Sequence, residues 1–174
     1  MKNTRTIPAL ASLAIAAIAL VGCASTAPVT ETPSATQADS VTVTDAWVKA
    51  TESGMTGAFG VIENTGDAEV TIVAASTAAS AMVQLHETTD DGTGTMTMRE
   101  KDGGFPIAAG EVLELAPGGN HIMLMDVAEP IVAGDEITIA LEFADGSTVE
   151  FTAQAKDFTG ANENYEPSPM PMDE

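Results

Sequence analysis

The 174-residue chain has one cysteine, two histidines, six basic residues and 4% aromatics. Each scarcity removes a class of function. One cysteine excludes an internal disulfide, a dithiol redox pair and a Cys-rich zinc site. Six Lys and Arg against 26 Asp and Glu give a formal charge of −20 and a pI near 4.1. Nucleic-acid binding rests on basic side chains that neutralise phosphates, so no nucleic-acid partner is expected. The same field attracts cations and concentrates them near the surface. The spacings support no Ser/His/Asp arrangement and no phosphate-binding glycine loop, so an enzyme is not expected. What the chain does hold is 44% hydrophobic residues with 18% charged ones, a globular composition for one domain.

The N-terminus reads as an export signal. Lys2 and Arg5 precede an apolar run from Ile7 to Val21, closed by Leu20-Val21-Gly22-Cys23. The run is short for a bilayer-spanning helix, which needs about 20 apolar residues. Its last four residues resemble the lipobox of bacterial lipoproteins. That resemblance implies cleavage before Cys23, lipidation of Cys23 and an extracytoplasmic protein anchored to the cell membrane. Losing Lys2 and Arg5 takes the charge from −20 to −22, so acyl chains rather than electrostatics must hold the protein to a membrane.

The mature chain divides into tether, domain and tail. Residues 24–40 are rich in Ala, Ser, Thr and Pro without apolar periodicity, a flexible linker. Residues 41–157 break into short β-rich runs separated by Gly, Asn and Asp. Strands are predicted over 41–48, 57–63, 69–75, 81–87, 95–101, 112–115, 121–127, 136–143 and 148–155. Many short strands without an amphipathic helix predict an all-β fold, an antiparallel β-sandwich or barrel. Residues 158–174 lose periodicity and end in a flexible Met- and Pro-containing tail with Met170 and Met172.

Chemistry is expected around His86 and His121. Alternation in Met82-Val83-Gln84-Leu85-His86 puts Val83 and Leu85 on one face, Gln84 and His86 on the other. In His121-Ile122-Met123-Leu124-Met125, Ile122 and Leu124 turn to the core while His121, Met123 and Met125 share the opposite face. Side chains two apart project the same way, so His121 and Met123 can reach one ion. Met96 and Met98 repeat that spacing in Thr95-Met96-Thr97-Met98-Arg99. Thioether sulfur selects soft ions, Cu(I) foremost, while a blue-copper centre needs a thiolate that residues 41–157 lack. Met55 and Met82 read as core filler. Asp90-Asp91 reads as a solvated turn. Glu87 could orient the His86 imidazole or face solvent.

At these residues the chain resembles the periplasmic copper chaperone family called PCuAC. The resemblance rests on His86-Glu87, Met96-Thr97-Met98-Arg99 and Pro117-Gly118-Gly119-Asn120-His121-Ile122-Met123-Leu124-Met125, and extends from Asp45-Ala46-Trp47 to Ala155. Eleven residues separate His86 from Met98, and twenty-two separate Met98 from His121. Each gap is one residue longer than that family's usual pattern, which leaves Met96 a rival to Met98. The resemblance implies a cupredoxin-like β-sandwich that binds Cu(I) through His86, Met98, His121 and Met123, with Met96 and Met125 as alternates. It also implies a shallow, exposed site and delivery of copper to the copper-centre subunit of cytochrome c oxidase or to another chaperone. Met170 and Met172 offer a second, weaker site. A copper-sequestering lipoprotein and a metal-free docking module with an apolar methionine patch are the competing expectations.

Overall fold

The computed structural model describes residues 35–90, 92, 96–160 and 164–165. The expectations for the signal segment, Cys23, most of the linker, and Met170 and Met172 lie outside them. A 3-10 turn (Ala38–Ser40) leads into β1 (Val41–Lys49), β2 (Gly54–Asn64), β3 (Val70–Thr77), β4 (Met82–Asp90), β5 (Met96–Glu100), β6 (Phe105–Ile107), β7 (Val112–Leu115), β8 (His121–Val127), β9 (Glu136–Phe143), β10 (Thr148–Lys156) and β11 (Asn164–Tyr165). The hydrogen-bonded order is β11-β5-β4-β8-β2-β1-β10-β9-β3-β6, with β7 also paired to β2. Both halves of this order send side chains into one core cluster, including Leu85, Ile122 and Leu124 from one half and Ile139, Leu141 and Phe143 from the other. The all-β sandwich expectation holds. Pairing is antiparallel except at β1–β10 and β5–β11, which are parallel.

Local chemistry accounts for the departures from the predicted strands. β6, absent from the predicted strands, carries Pro106 at the sheet edge, where a residue without an N–H breaks no ladder. Phe105 and Ile107 face inward there while Pro106 faces out. β2 starts three residues earlier than expected because its pairing with β8 continues through an irregularity between Gly54 and Thr56. Within the span read as a tail, Asn164 and Tyr165 pair with Thr97 and Met98 of β5. Within the span read as a linker, ordered contacts begin before Val41. Gln37 N–H donates to Asp145 Oδ2 at 2.8 Å, and Thr71 N–H donates to Gln37 Oε1 at 3.0 Å.

One buried polar side chain ties the turn after β2 to the residues after β6. Asn64 is fully buried. Its Nδ2 donates to the carbonyls of Ala68 (2.8 Å), Ile107 (3.0 Å) and Ala108 (3.1 Å), and its Oδ1 accepts from Gly66 N–H at 3.0 Å. Leaving buried groups unsatisfied costs about 1–3 kcal/mol each. Asn64→Ala is therefore expected to destabilise the chain by about 3 kcal/mol or more. Urea unfolding measures it, and a loss below about 1 kcal/mol would contradict this account.

Candidate metal centre

The antiparallel register of β4 and β8 aligns Met82 with Met125, Gln84 with Met123, and His86 with His121. Leu85, Ile122 and Leu124 enter the core cluster, which leaves His86, His121 and Met123 on the other face. The two imidazoles are direct cross-strand neighbours, with ring centroids 5.4 Å apart and planes at 70°. β5, on the far side of β4, brings Met98 opposite Thr88. β2, on the far side of β8, brings Gly57 opposite Met123. Met98, His121 and Met123 line one cavity of about 220 Å³ with Met55, Phe59 and the turn at Pro117-Gly118. His86 lies beside His121, outside the set of lining residues.

The site is not shallow, and this corrects the sequence expectation. His86 is 0% exposed, His121 3%, Met123 7% and Met98 8%. Alternation assigned His86 to the face opposite Leu85, but that face has its own cover. The Phe59 ring lies 6.1 Å from His121 and 4.5 Å from Trp47, whose other neighbour is Phe158 at 5.3 Å. The first four residues of β8 are consequently buried on both faces. Gly57 assists, because a Cβ there would collide with the Phe59 ring.

Each imidazole has one nitrogen engaged by an oxygen. His121 Nδ1–H donates to the Gly119 carbonyl at 2.9 Å, and that carbonyl also accepts from Thr88 Oγ1 at 3.1 Å. A carbonyl only accepts, so a neutral His121 carries its lone pair on Nε2. His86 Nε2 lies 2.9 Å from Gln84 Oε1, and Gln84 Nε2 donates to Glu100 Oε2 at 3.1 Å. This leaves the His86 lone pair on Nδ1. Both lone-pair atoms, His86 Nδ1 and His121 Nε2, are buried in the interior. Oxygen partners of this kind fix tautomer and ring orientation in metal-binding histidines. Gln84 therefore fills the supporting role considered for Glu87; its position two residues before His86 on the same strand face was the signal. Glu87 turns instead to Arg99 and Lys101, each 2.9 Å away. Its hydrogen bond from Lys101, then that from Arg99, holds its carboxyl below the usual carboxylate range.

The remaining candidates spread along the same face. Met96, at the start of β5 opposite Asp90, is 45% exposed and does not line the cavity. Met125 is half-buried one row beyond Met123 and lies outside the cavity as well. Met55, read from sequence as core filler, does line it. Asp90 Oδ1 accepts from Gly92 N–H at 2.7 Å, a turn interaction. Among the described residues no three of His, Cys, Asp and Glu gather in metal-binding geometry. A metal held here would need sulfur among its ligands.

Burial, then the neighbouring His121, lowers the His86 pKa from 6.5 to about 4. A histidine that resists protonation when folded but accepts a proton near pH 6.5 when unfolded stabilises the fold above that pH. The contribution is lost as pH falls from about 6.5 towards 4. At pH 5 the metal-free chain should be about 2 kcal/mol less stable than at pH 7.5 through this group. Urea unfolding at the two pH values, compared with His86→Leu, isolates it; an equal pH dependence in both proteins would refute the assignment.

Comparison with known proteins places this geometry. Residues 41–155 match the family described as "Putative lipoprotein LpqE-like". The chain is 48% identical over 164 residues to "Putative lipoprotein Lxx21020" of Leifsonia xyli subsp. xyli (strain CTCB07), covering 93% of this chain and 98% of that protein. Among solved structures, apo-DR1885 from Deinococcus radiodurans is similar at 28% identity and a TM-score of 0.54, over 90% of this chain and 97% of that one. The CuI-DR1885 structure aligns at 26% identity and a TM-score of 0.53, over 68% and 80% of the two chains. The copper-bound PCuAC domain from PmoF2 shares the fold at a TM-score of 0.56 and 17% identity, over 68% of this chain and 93% of that domain. Sequence and fold together establish that the chain belongs to the LpqE-like lipoprotein family, on the scaffold of PCuAC domains.

Proposed function

We propose that the chain is an extracytoplasmic copper chaperone, anchored by lipid at Cys23, that holds Cu(I) between His86, Met98, His121 and Met123. The observation that carries this reading is the pairing of His86 with His121 across β4 and β8. Each has its outer nitrogen engaged by an oxygen and its lone-pair nitrogen in the interior, with two thioethers alongside. Neutral nitrogen and thioether sulfur make a soft, uncharged ligand set suited to Cu(I). The Cu(I)-bound form of the similar Deinococcus protein supports the choice of ion. Membership of a lipoprotein family supports the lipobox reading of Leu20-Val21-Gly22-Cys23.

The chemistry is ligand exchange, with no covalent step and no electron transfer. Met98 and Met123 line the cavity and retain slight exposure, so an incoming ligand meets them first. His121 also lines the cavity, whereas His86 is the most enclosed and releases last. The cavity is far larger than one ion, which leaves room for an incoming imidazole or thiolate. The recipient follows from this chemistry: a copper-binding protein whose ligands outcompete neutral donors, such as the copper-centre subunit of cytochrome c oxidase or a second chaperone. The depth of His86 favours one competing reading, a sequestering lipoprotein that keeps its copper.

Anaerobic Cu(I) titration of the full chain beside the double variant His121→Ala, Met123→Ala tests the site. One tight equivalent is expected in the parent, with affinity reduced more than tenfold in the variant; equal tight uptake by both refutes the assignment. Binding should also weaken as pH falls towards about 4, where His86 takes up its proton, because protonated imidazole cannot ligate. Mixing the loaded chain with a copper-free acceptor bearing thiolate ligands then separates the roles. Transfer within minutes supports the chaperone, and retention supports sequestration.

A further inference from the structure

The face that carries the inner site continues into a second set of thioethers. Met82 of β4 lies directly opposite Met125 of β8. On the other side of β8, Thr56 pairs with Leu124 and Gly54 with Val127, so Met55 faces both Met125 and Asp126 across an irregularity. Asp126 and Gly54 take positive φ of 56° and 85° at this point. Three adjacent strands thus present Met82, Met125 and Met55 in one row. Met82 shares its strand face with Gln84 and His86, and Met125 shares its face with Met123 and His121.

Exposure separates this row from the inner one. Met55 is 49% exposed, Met82 is 42% exposed and Met125 is half-buried. A methionine that packs a core gap is enclosed; two of these are not. Met55 also lines the cavity of Met98, His121 and Met123, so it belongs to both rows. The four inner residues are nearly inaccessible, whereas Met55 and Met82 meet solvent directly.

We propose that Met55, Met82 and Met125 form an outer thioether site for a soft monovalent cation, Cu(I) or Ag(I), through which the ion enters and leaves the inner pocket. Three neutral sulfurs from three strands make a ligand set that zinc, calcium and magnesium do not favour. The strongly acidic chain raises the local concentration of cations there. Inward movement replaces Met125 by Met123, two residues along the same strand face, then Met82 by His121 and Met55 by Met98, and His86 completes the inner set. Copper remains Cu(I) throughout, each step exchanges one neutral ligand for another, and no proton or electron moves. The outer site shares no ligand with the inner one; the route inward rests on the copper reading above.

The test uses the full chain labelled with ¹³C at the methionine methyl groups and titrated anaerobically with Ag(I), then Cu(I). The parent should take two equivalents, the second more weakly, with Met55, Met82 and Met125 methyl signals moving in the second phase. His121→Ala, Met123→Ala should retain those shifts and lose the tight phase. Met82→Leu should keep the tight equivalent, weaken the second at least tenfold and slow loading from a dilute Ag(I) source by a similar factor. The triple variant Met55→Leu, Met82→Leu, Met125→Leu should lose the second equivalent. Met82 and Met125 signals that stay fixed in excess Ag(I), or loading of Met82→Leu at the parental rate, would overturn the outer site. A tight phase that survives His121→Ala, Met123→Ala would overturn the inner assignment while leaving the outer shifts to stand or fall separately.

Discussion

The register of β4 against β8 is the constraint on which the site depends. It is fixed by side chains that never meet the site, because Leu85, Ile122 and Leu124 must reach the core. A one-residue slip of either strand would turn that strand's imidazole into the core and expose its apolar groups. Burying three aliphatic side chains stabilises the native register by several kcal/mol, at about 1.5–3 kcal/mol each. The alignment of His86 with His121 is thus held by hydrophobic packing on the opposite face. The closeness of the two imidazoles is a consequence of core formation, and it needs no metal to bring them together.

A second interior follows from the same geometry. A sheet with one packed face normally turns polar residues to water on the other. Here Trp47, Phe59 and Phe158 close over β8, so the imidazoles lose solvent. Desolvation leaves His86 neutral well below the ordinary histidine range. Arg99 of β5 and Lys101 just after it are held by Glu87. The charged residue that lines the cavity is Lys49, whose Nζ donates to the Gly160 carbonyl at 2.8 Å.

The parts of this arrangement that were legible in the sequence are those governed by period-two alternation. Alternation assigned Gln84 with His86, and His121 with Met123, to common faces, because a strand carries that information in its own residues. It did not reveal depth. The aromatic cover comes from β1, β2 and the residues after β10, and no local pattern around His86 records their approach. Glu87 drew attention as a chain neighbour, but adjacent residues on a strand point apart; the supporting group is Gln84, two positions away. Met55 was read as filler because its place beside Met125 depends on an irregularity in the β2–β8 pairing. β6, which carries Pro106, was not among the predicted strands for a related reason, since whether a strand lies at an edge is a property of the whole sheet.

Depth and release pull against each other, and the ligand chemistry decides how far each can go. A cation placed in a dry pocket loses hydration worth several kcal/mol or more, which neutral ligands repay only through coordination. Thiolates would add charge attraction and hold Cu(I) beyond the reach of most recipients. Imidazole and thioether add none, so the proposed complex would keep its positive charge in a low-dielectric setting and stay displaceable by anionic ligands. Burial supplies selectivity in the same stroke. Strongly hydrated ions such as magnesium forfeit more on entry and find no oxygen ligands inside, whereas Cu(I) forfeits less and finds sulfur. In the proposed role, an enclosed, sulfur-containing cavity on a strongly acidic protein would thereby combine attraction at long range, discrimination on entry and moderate hold within.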